Sequence, residues 1–182
     1  MEPITVAIVH PEKASREACL RFLEPEKRIR VVAEARNSLE AIAVTTRGKP
    51  RVLLLDLDSF SANGSALLPV LRQKSPHTKV ILLTRNTPKS RILEGLSHGA
   101  SGFLERKALC TFLPKAVRAI DAGEAWVPRK MVAQLVDRLV GLTRISLRGP
   151  STDTPPISPR VVSVRPAITR PTKWIENFRF ES

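Results

Sequence analysis

Five short apolar runs alternate with helical segments over the first two thirds of the chain, and this alternation constrains the fold more than any other feature. The runs are rich in leucine and β-branched residues, and the segments between them repeat apolar residues every three or four positions. Strands that alternate with helices of about ten to fifteen residues are typical of right-handed βαβ crossovers. The runs cover residues 4–9, 30–35, 52–55, 79–83 and 102–104.

The apolar runs are continuous rather than alternating, which indicates strands buried on both faces of a parallel sheet. Turn residues lie where the helices should begin and end: Asn63-Gly64, Ser75-Pro76, Thr87-Pro88 and His98-Gly99. The sequence therefore predicts an α/β fold over residues 1–125, a doubly wound sheet of five parallel strands with five helices.

A different pattern follows residue 125. Pro128 is well placed as a first helical residue, and Met131, Leu135, Leu139 and Leu142 repeat every three to four positions. We predict a basic, amphipathic linker helix over 126–145. Residues 146–182 are rich in proline and arginine without a sustained period, which predicts a mostly disordered tail.

Charge narrows the class of partner. Thirty basic and 17 acidic residues give a net charge of +13. This excess favours phosphate-bearing polymers, an acidic protein or an anionic surface. No apolar run approaches the ~18 residues that cross a bilayer, so a cytoplasmic protein without membrane contact is expected. Cys19 and Cys110 lie in helical patterns and are expected to be buried thiols.

The residues at the ends of the strands resemble those of one known family. Asp56 ends the third run, Thr84 follows the fourth, and Phe103 lies in the fifth, within the segment 99–104. Ligands of open α/β sheets collect beyond these strand ends. Over about 125 residues the chain resembles the CheY-like receiver domains of bacterial two-component response regulators. The segment 123–126 followed by a basic helix is similar to the NarL/FixJ (LuxR-type) subfamily.

The resemblance implies a flavodoxin-like fold with strand order 2-1-3-4-5. It implies that Asp56 is the phosphoacceptor and that Thr84 and Phe103 are switch residues. Mg²⁺ would be held by Asp56, by the backbone carbonyl of Asp58 and by an acidic pair after the first strand. A sensor histidine kinase, or another signalling protein, would be the partner. The fourth helix, fifth strand and fifth helix would form the output face and a homodimer.

Several positions depart from the family pattern. The acidic pair is replaced by His10 and Pro11, with Glu12 one step further along. Mg²⁺ prefers oxygen ligands, so imidazole is a poor substitute. The phosphoryl-pairing lysine is replaced by Arg106, and Lys107 is its neighbour. The family's Met-Pro after the aspartate is Ser59-Phe60. These departures count against Mg²⁺ binding and phosphorylation but leave the predicted fold unchanged.

The output region also departs from the family. Residues 157–160 resemble the start of a LuxR-type helix-turn-helix, but the 22 residues that follow show no apolar period. A recognition module needs roughly sixty such residues. Our hypothesis is a truncated or frameshifted relative of a NarL/FixJ regulator.

The predicted function is a receiver in phosphorelay signal transduction that regulates transcription. One alternative is a pseudo-receiver that acts through protein contacts. Another is a DNA-binding regulator that grips phosphates with its basic helix and tail. An enzyme ranks last, because neither a glycine-rich phosphate loop nor a nucleophile elbow is present.

Overall fold

The computed structural model describes residues 2–59, 64–128, 131–134 and 136–137, with the backbone alone for 64–66. The described chain contains a sheet of five strands in the order β2-β1-β3-β4-β5, and neighbouring strands are parallel. The predicted fold class and strand order are confirmed, and each predicted strand boundary is correct to within one residue. The strands are β1 (Ile4–Val9), β2 (Ile29–Ala35), β3 (Val52–Asp56), β4 (Lys79–Thr84) and β5 (Gly102–Glu105).

Helices connect the strands as the periodicity predicts: α1 (Lys13–Leu23), α2 (Ser38–Gly48), α3 (Gly64–Lys74), α4 (Lys89–Ser97) and α5 (Leu109–Asp121). A short 3-10 turn (Arg106–Ala108) joins β5 to α5. The start of α2 illustrates the local chemistry. The Asn37 side chain accepts the Glu40 N–H at 2.9 Å, and the Glu40 carboxylate accepts the Arg36 N–H at 2.8 Å. These bonds satisfy donors that a helix start leaves unpaired.

Two apolar clusters lie on opposite faces of the sheet. Successive side chains of β3 alternate between them, so Leu54 packs with α1 and α5, and Leu53 packs with α3 and α4. Both leucines are fully buried. Burying such a side chain stabilises a fold by roughly 1.5–3 kcal/mol. The continuous apolar runs of the sequence are thus explained by strands covered on both faces. Cys19 is buried as expected, but Cys110 is exposed, and that expectation was wrong.

Residues 124–128, which we call the edge segment, follow α5 and lie along the free edge of β5. Trp126 forms a parallel bridge with Gly102. Met131, a few residues further on, is buried against the cluster that includes α3 and α4. Residues 131–134 and 136–137 are helical. The predicted linker helix was wrong at its start, because residues 126–128 are not helical and Trp126 bonds to β5 instead. The other parts of that predicted helix (129–130, 135 and 138–145) and the whole predicted tail (146–182) lie outside the described residues. No helix in the described ranges is long and apolar enough to cross a membrane.

Candidate functional site

The strand ends bring the predicted site residues to one edge of the sheet, which we call the rim (His10, Asp56, Thr84 and Arg106). His10 follows β1, Asp56 and Thr84 end β3 and β4, and Arg106 follows β5. Asp56 is in register with Leu83, and Thr84 with Glu105, so the strands end at the same level. His10, Asp56 and Thr84 are each 2% exposed. Side chains distant in sequence are therefore adjacent in a buried, polar position.

The imidazole of His10 faces the carboxylate of Asp56, with His10 Nε2 3.6 Å from Asp56 Oδ1. His10 Nδ1 accepts the backbone N–H of Glu12 at 3.0 Å, so the neutral ring carries its proton on Nε2. That N–H points at Asp56 from beyond hydrogen-bonding distance and has no other partner. The second carboxylate oxygen, Oδ2, accepts the Ser59 N–H at 3.0 Å.

Burial lowers the pKa of His10 below its ordinary value of 6.5, because a charged imidazolium is poorly solvated there. The neighbouring carboxylate of Asp56 opposes this effect, and the guanidinium of Arg106 reinforces it. His10 is therefore neutral at pH 7. The pair is an imidazole beside a carboxylate rather than an ion pair.

Arg106 closes the rim from the β5 side without pairing with Asp56. Its guanidinium donates to the hydroxyl of Ser15 and, at 3.3 Å, to the carboxylate of Glu12. Ser15 and Arg106 both hydrogen-bond this carboxylate and lower the pKa of Glu12. Arg85 approaches the same carboxylate at 3.9 Å. Glu12 thus binds cationic side chains at the surface instead of entering the rim.

Lys107 does not join the rim. Its ammonium group pairs with Glu105 at 2.6 Å, and its side chain is 83% exposed. The predicted phosphoryl-pairing position is therefore filled by Arg106 alone, and by a side chain that already has two partners.

Arg16 is a component of the site that the sequence analysis missed. It lies on α1, is 8% exposed, and donates to the carbonyl oxygens of His10 at 2.8 Å and Pro11 at 3.1 Å. Its Nε donates to Glu34 at 2.8 Å. A buried guanidinium thus holds the loop that carries an acidic pair in the family. The sequence contained one indication that Arg16 is buried. Arg16 lies next to Ser15 and three residues before Cys19, and these two residues are on the face of α1 that packs against the sheet.

Asp58 connects two loops. Its carboxylate accepts the Arg85 N–H at 2.6 Å and the hydroxyl of Thr87. The loop after β3 is thereby fastened to the loop after β4, which leads into α4. The Asp58 side chain is committed to this contact and not to the space between His10 and Asp56.

The two predicted switch residues lie on neighbouring strands. The Thr84 hydroxyl donates to the carbonyl oxygen of Leu104 in β5 at 3.4 Å. Phe103 is partly buried against the cluster that includes α3 and α4. Thr84 is therefore directed at β5, and a change in its hydrogen bonding would act first on that strand.

The donor set does not fit Mg²⁺. That ion requires near-octahedral oxygen ligands, usually including carboxylates. At the acidic-pair positions stand a nitrogen ligand, His10, and Pro11, which has no side-chain donor. The Glu12 carboxylate binds Arg106, and the Asp58 carboxylate binds Arg85 and Thr87. Of the predicted oxygen ligands, the Asp56 carboxylate and the Asp58 backbone carbonyl are left, which are too few for an octahedral ion. Within the described ranges no group of three or more His, Cys, Asp or Glu side chains is arranged to hold a metal ion.

A buried carboxylate at the end of the central strand, a threonine at the end of the next strand and a basic residue after the last define a receiver-type signalling domain. The chain belongs to the response regulator receiver domain family, which matches residues 6–118. The resemblance noted in the sequence is confirmed. Receivers of this kind operate in two-component signalling, and the relatives described next are transcriptional regulators.

The chain is 28% identical over 134 residues to the transcriptional regulatory protein LnrK of Bacillus subtilis, covering 74% of this chain and 61% of the relative. It is 27% identical over 138 residues to the DNA-binding transcriptional activator DevR/DosR of Mycobacterium tuberculosis, covering 76% and 64%. The chain thus spans about three fifths of the length of these relatives.

Solved structures of receiver domains have the same fold as this chain. The signal receiver domain of the response regulator NarL from Mycobacterium tuberculosis superimposes with a TM-score of 0.64 at 26% identity, covering 68% of this chain and all of that domain. The isolated receiver domain of RcsB from Salmonella enterica superimposes with a TM-score of 0.63 at 24% identity, over 74% of this chain and 99% of that one. The second likeness shows the fold alone.

Proposed function

We propose that this chain is a signal-receiving, protein-interaction module of a transcription-regulating two-component system, and that its rim works without Mg²⁺. The observation that carries the proposal is the pairing of His10 with Asp56. A neutral imidazole stands at the position of a metal-binding carboxylate, and buried Arg16 holds the adjoining loop. Phosphoryl transfer to a carboxylate brings like charges together, so it depends on a cation that neutralises the developing charge.

The partners follow from the family and remain part of the proposal. A sensor histidine kinase or another signalling protein would be recognised at the rim. The module would contact its target, or a second copy in a homodimer, through α4, β5 and α5. Phe112 supports this assignment, because its aromatic ring is 41% exposed on α5 and lies near Trp126. DNA binding is stated in the name of the relative DevR/DosR and applies to that protein. For this chain, regulation of transcription is the proposed outcome.

The decisive experiment is incubation of the full chain with acetyl phosphate and Mg²⁺, followed by intact-mass measurement. We expect no phosphoryl adduct on the wild-type chain. We expect an adduct on the double variant His10→Asp, Pro11→Asp, because two restored carboxylates complete the oxygen ligand set. The phosphoryl group of this adduct should be attached to the carboxylate of Asp56.

The matched control is Asp56→Asn in both backgrounds, which retains size and hydrogen bonding but removes the nucleophilic carboxylate. It should abolish the adduct of the double variant. A wild-type adduct that disappears in Asp56→Asn would contradict the metal-free rim. It would instead support ordinary phosphorylation at Asp56.

A further inference from the structure

The edge segment (residues 124–128) is bonded to β5 in the manner of an additional parallel strand. The Trp126 N–H donates to the carbonyl oxygen of Ser101 at 3.1 Å, and the Phe103 N–H donates to the carbonyl oxygen of Trp126 at 3.1 Å. An exposed strand edge presents unpaired groups that other chains can bind. Here those groups on β5 are satisfied from within the chain.

The contact is close enough to require glycine at position 102. A Cβ built there would lie 2.6 Å from the carbonyl oxygen of Trp126 and 2.7 Å from its Cβ. Gly123, with a φ of +98°, permits the turn that brings the chain from α5 to this edge. Two glycines therefore allow the edge segment to approach and cover β5.

Side chains of the edge segment reach both sides of the sheet. Trp126 packs on the cluster that includes α1 and α5, and its ring centroid is 6.3 Å from that of Phe112. Val127 packs on the opposite cluster, where Met131 is also buried. The next helical residues are attached to this segment, since the Met131 N–H donates to the carbonyl oxygen of Pro128 at 2.9 Å.

A continuous series of contacts thus runs from the rim to the C-terminal helical residues. The Thr84 hydroxyl contacts the carbonyl oxygen of Leu104 on β5. The preceding residue on that strand, Phe103, donates its N–H to the carbonyl oxygen of Trp126. Two residues after Trp126, the carbonyl oxygen of Pro128 accepts the N–H of Met131. We propose that the edge segment transmits changes at the rim to the helical residues 131–134 and 136–137, and that the hydrogen bond from the Phe103 N–H to the Trp126 carbonyl couples the two. Coupling of this kind requires an element whose position both ends influence. The edge segment contacts β5 and packs on both clusters, so it is placed to respond to a displacement of either end.

This inference goes beyond the proposed function and is independent of how the rim is modified. It concerns how a change in the contacts of Thr84 affects the residues that follow α5. It also implies that a partner cannot add a strand to the β5 edge at Gly102 and Phe103, because Trp126 already occupies that position.

The test compares two threonine-to-valine variants of the full chain by backbone hydrogen exchange. Thr84→Val removes the hydroxyl that contacts β5. Thr45→Val makes the same change at a fully buried threonine of α2, whose hydroxyl has no hydrogen-bond partner. We expect Thr84→Val to speed exchange of the Phe103, Trp126 and Met131 amides by about threefold or more. We expect Thr45→Val to leave those three amides unchanged.

Trp126 offers a second readout. Trp126 and Trp174 are the two tryptophans of the chain. In a Trp174→Phe background the emission therefore reports the edge segment alone. Thr84→Val should shift this emission, and Thr45→Val should not. Gly102→Ala, which places a methyl group against Trp126, should shift it further and speed exchange at Met131 while amides of central strand β3 keep their protection.

Two results would overturn the proposal. Thr84→Val could speed exchange in β4 and β5 yet leave Trp126 and Met131 as in the wild type. Alternatively, Gly102→Ala could change Trp126 emission without changing exchange at Met131. The first result would separate the rim from the edge segment, and the second would separate the edge segment from the helix. Because Thr84→Val is nearly isosteric, the test stands even if Gly102→Ala unfolds the chain.

Discussion

His10 changes the electrostatics of the whole rim through a single position. In the family pattern three carboxylates repel one another and a divalent cation relieves the repulsion. In this chain Asp56 is the buried carboxylate that faces His10, and a neutral N–H is directed at it. Arg106 binds Glu12 and Ser15 rather than Asp56. His10 and Pro11 together account for the two missing carboxylate ligands, and His10 supplies the neutral donor that faces Asp56.

Replacing His10 should change the pH dependence of stability. Because the folded-state pKa of His10 is lowered, the unfolded chain binds more protons as the pH falls below the ordinary value of 6.5. The wild-type free energy of unfolding should therefore be fully present above that pH and decrease below it. His10→Gln retains an N–H donor but does not titrate, so its free energy of unfolding should decrease less over the same range.

Urea unfolding at about pH 7 and about pH 5 measures this difference. Glu12 and Glu40 do not interfere, because hydrogen bonds lower their pKa values below the ordinary 4.5 and they lose stabilisation only in more acidic solution. Parallel pH profiles for the wild type and His10→Gln would refute the buried neutral assignment of His10.

Some site residues were predictable because strand ends in a parallel sheet converge. Asp56, Thr84 and Arg106 could each be assigned to the rim from its place after an apolar run. Their partners could not be predicted in this way. An arginine in an amphipathic helix is usually interpreted as solvated, yet Arg16 is buried because two loop carbonyls and Glu34 satisfy its donors. Such contacts depend on loop geometry, which local sequence does not determine.

At the scale of secondary structure, burial on both faces of the sheet makes β3 the most sensitive strand. Leu54 is 0% exposed, whereas Leu39 on α2 is 80% exposed. Leu54→Ala should destabilise the fold by about 2–5 kcal/mol, since it removes buried surface and leaves a cavity. Leu39→Ala makes the same chemical change and should alter stability by no more than about 0.5 kcal/mol. Chemical denaturation of both variants tests this, and equal losses would be inconsistent with β3 at the centre of the core.

The strands and helices were predictable because each carries its own period, but the edge segment carries none. In the sequence, the segment from Gly123 to Trp126 indicated only a linker. This segment pairs with β5 because Gly102 has no Cβ to block its approach and because an apolar surface is available to Trp126. The same reason explains Cys110. The helical pattern does not distinguish its exposed position at the start of α5 from the buried ones nearby.

On the scale of the whole molecule, positive charge is spread along the chain. Of the net +13, residues 126–182 contribute +6 from ten basic and four acidic side chains. In the described receiver, several arginines already pair with carboxylates, including Arg16 with Glu34, Arg51 with Asp121 and Arg118 with Glu26. These pairs leave the net charge of residues 1–125 at +7, from 20 basic and 13 acidic side chains. The shorter C-terminal region, at +6, therefore has the greater excess of positive charge per residue.

This distribution predicts weak, sequence-independent binding to duplex DNA that depends on the C-terminal region. Charge neutralisation by lysine and arginine releases counterions, so affinity should fall steeply with salt, by an order of magnitude or more between about 50 and 200 mM. Deleting residues 143–182 removes seven basic and three acidic side chains and should weaken binding at low salt. Fluorescence anisotropy with two unrelated duplexes measures both effects, with Arg30→Gln on β2 as a control for loss of one receiver charge. A strong preference for one duplex at about 150 mM salt would contradict purely electrostatic binding, because hydrogen bonds to base edges, rather than phosphate contacts, distinguish sequences.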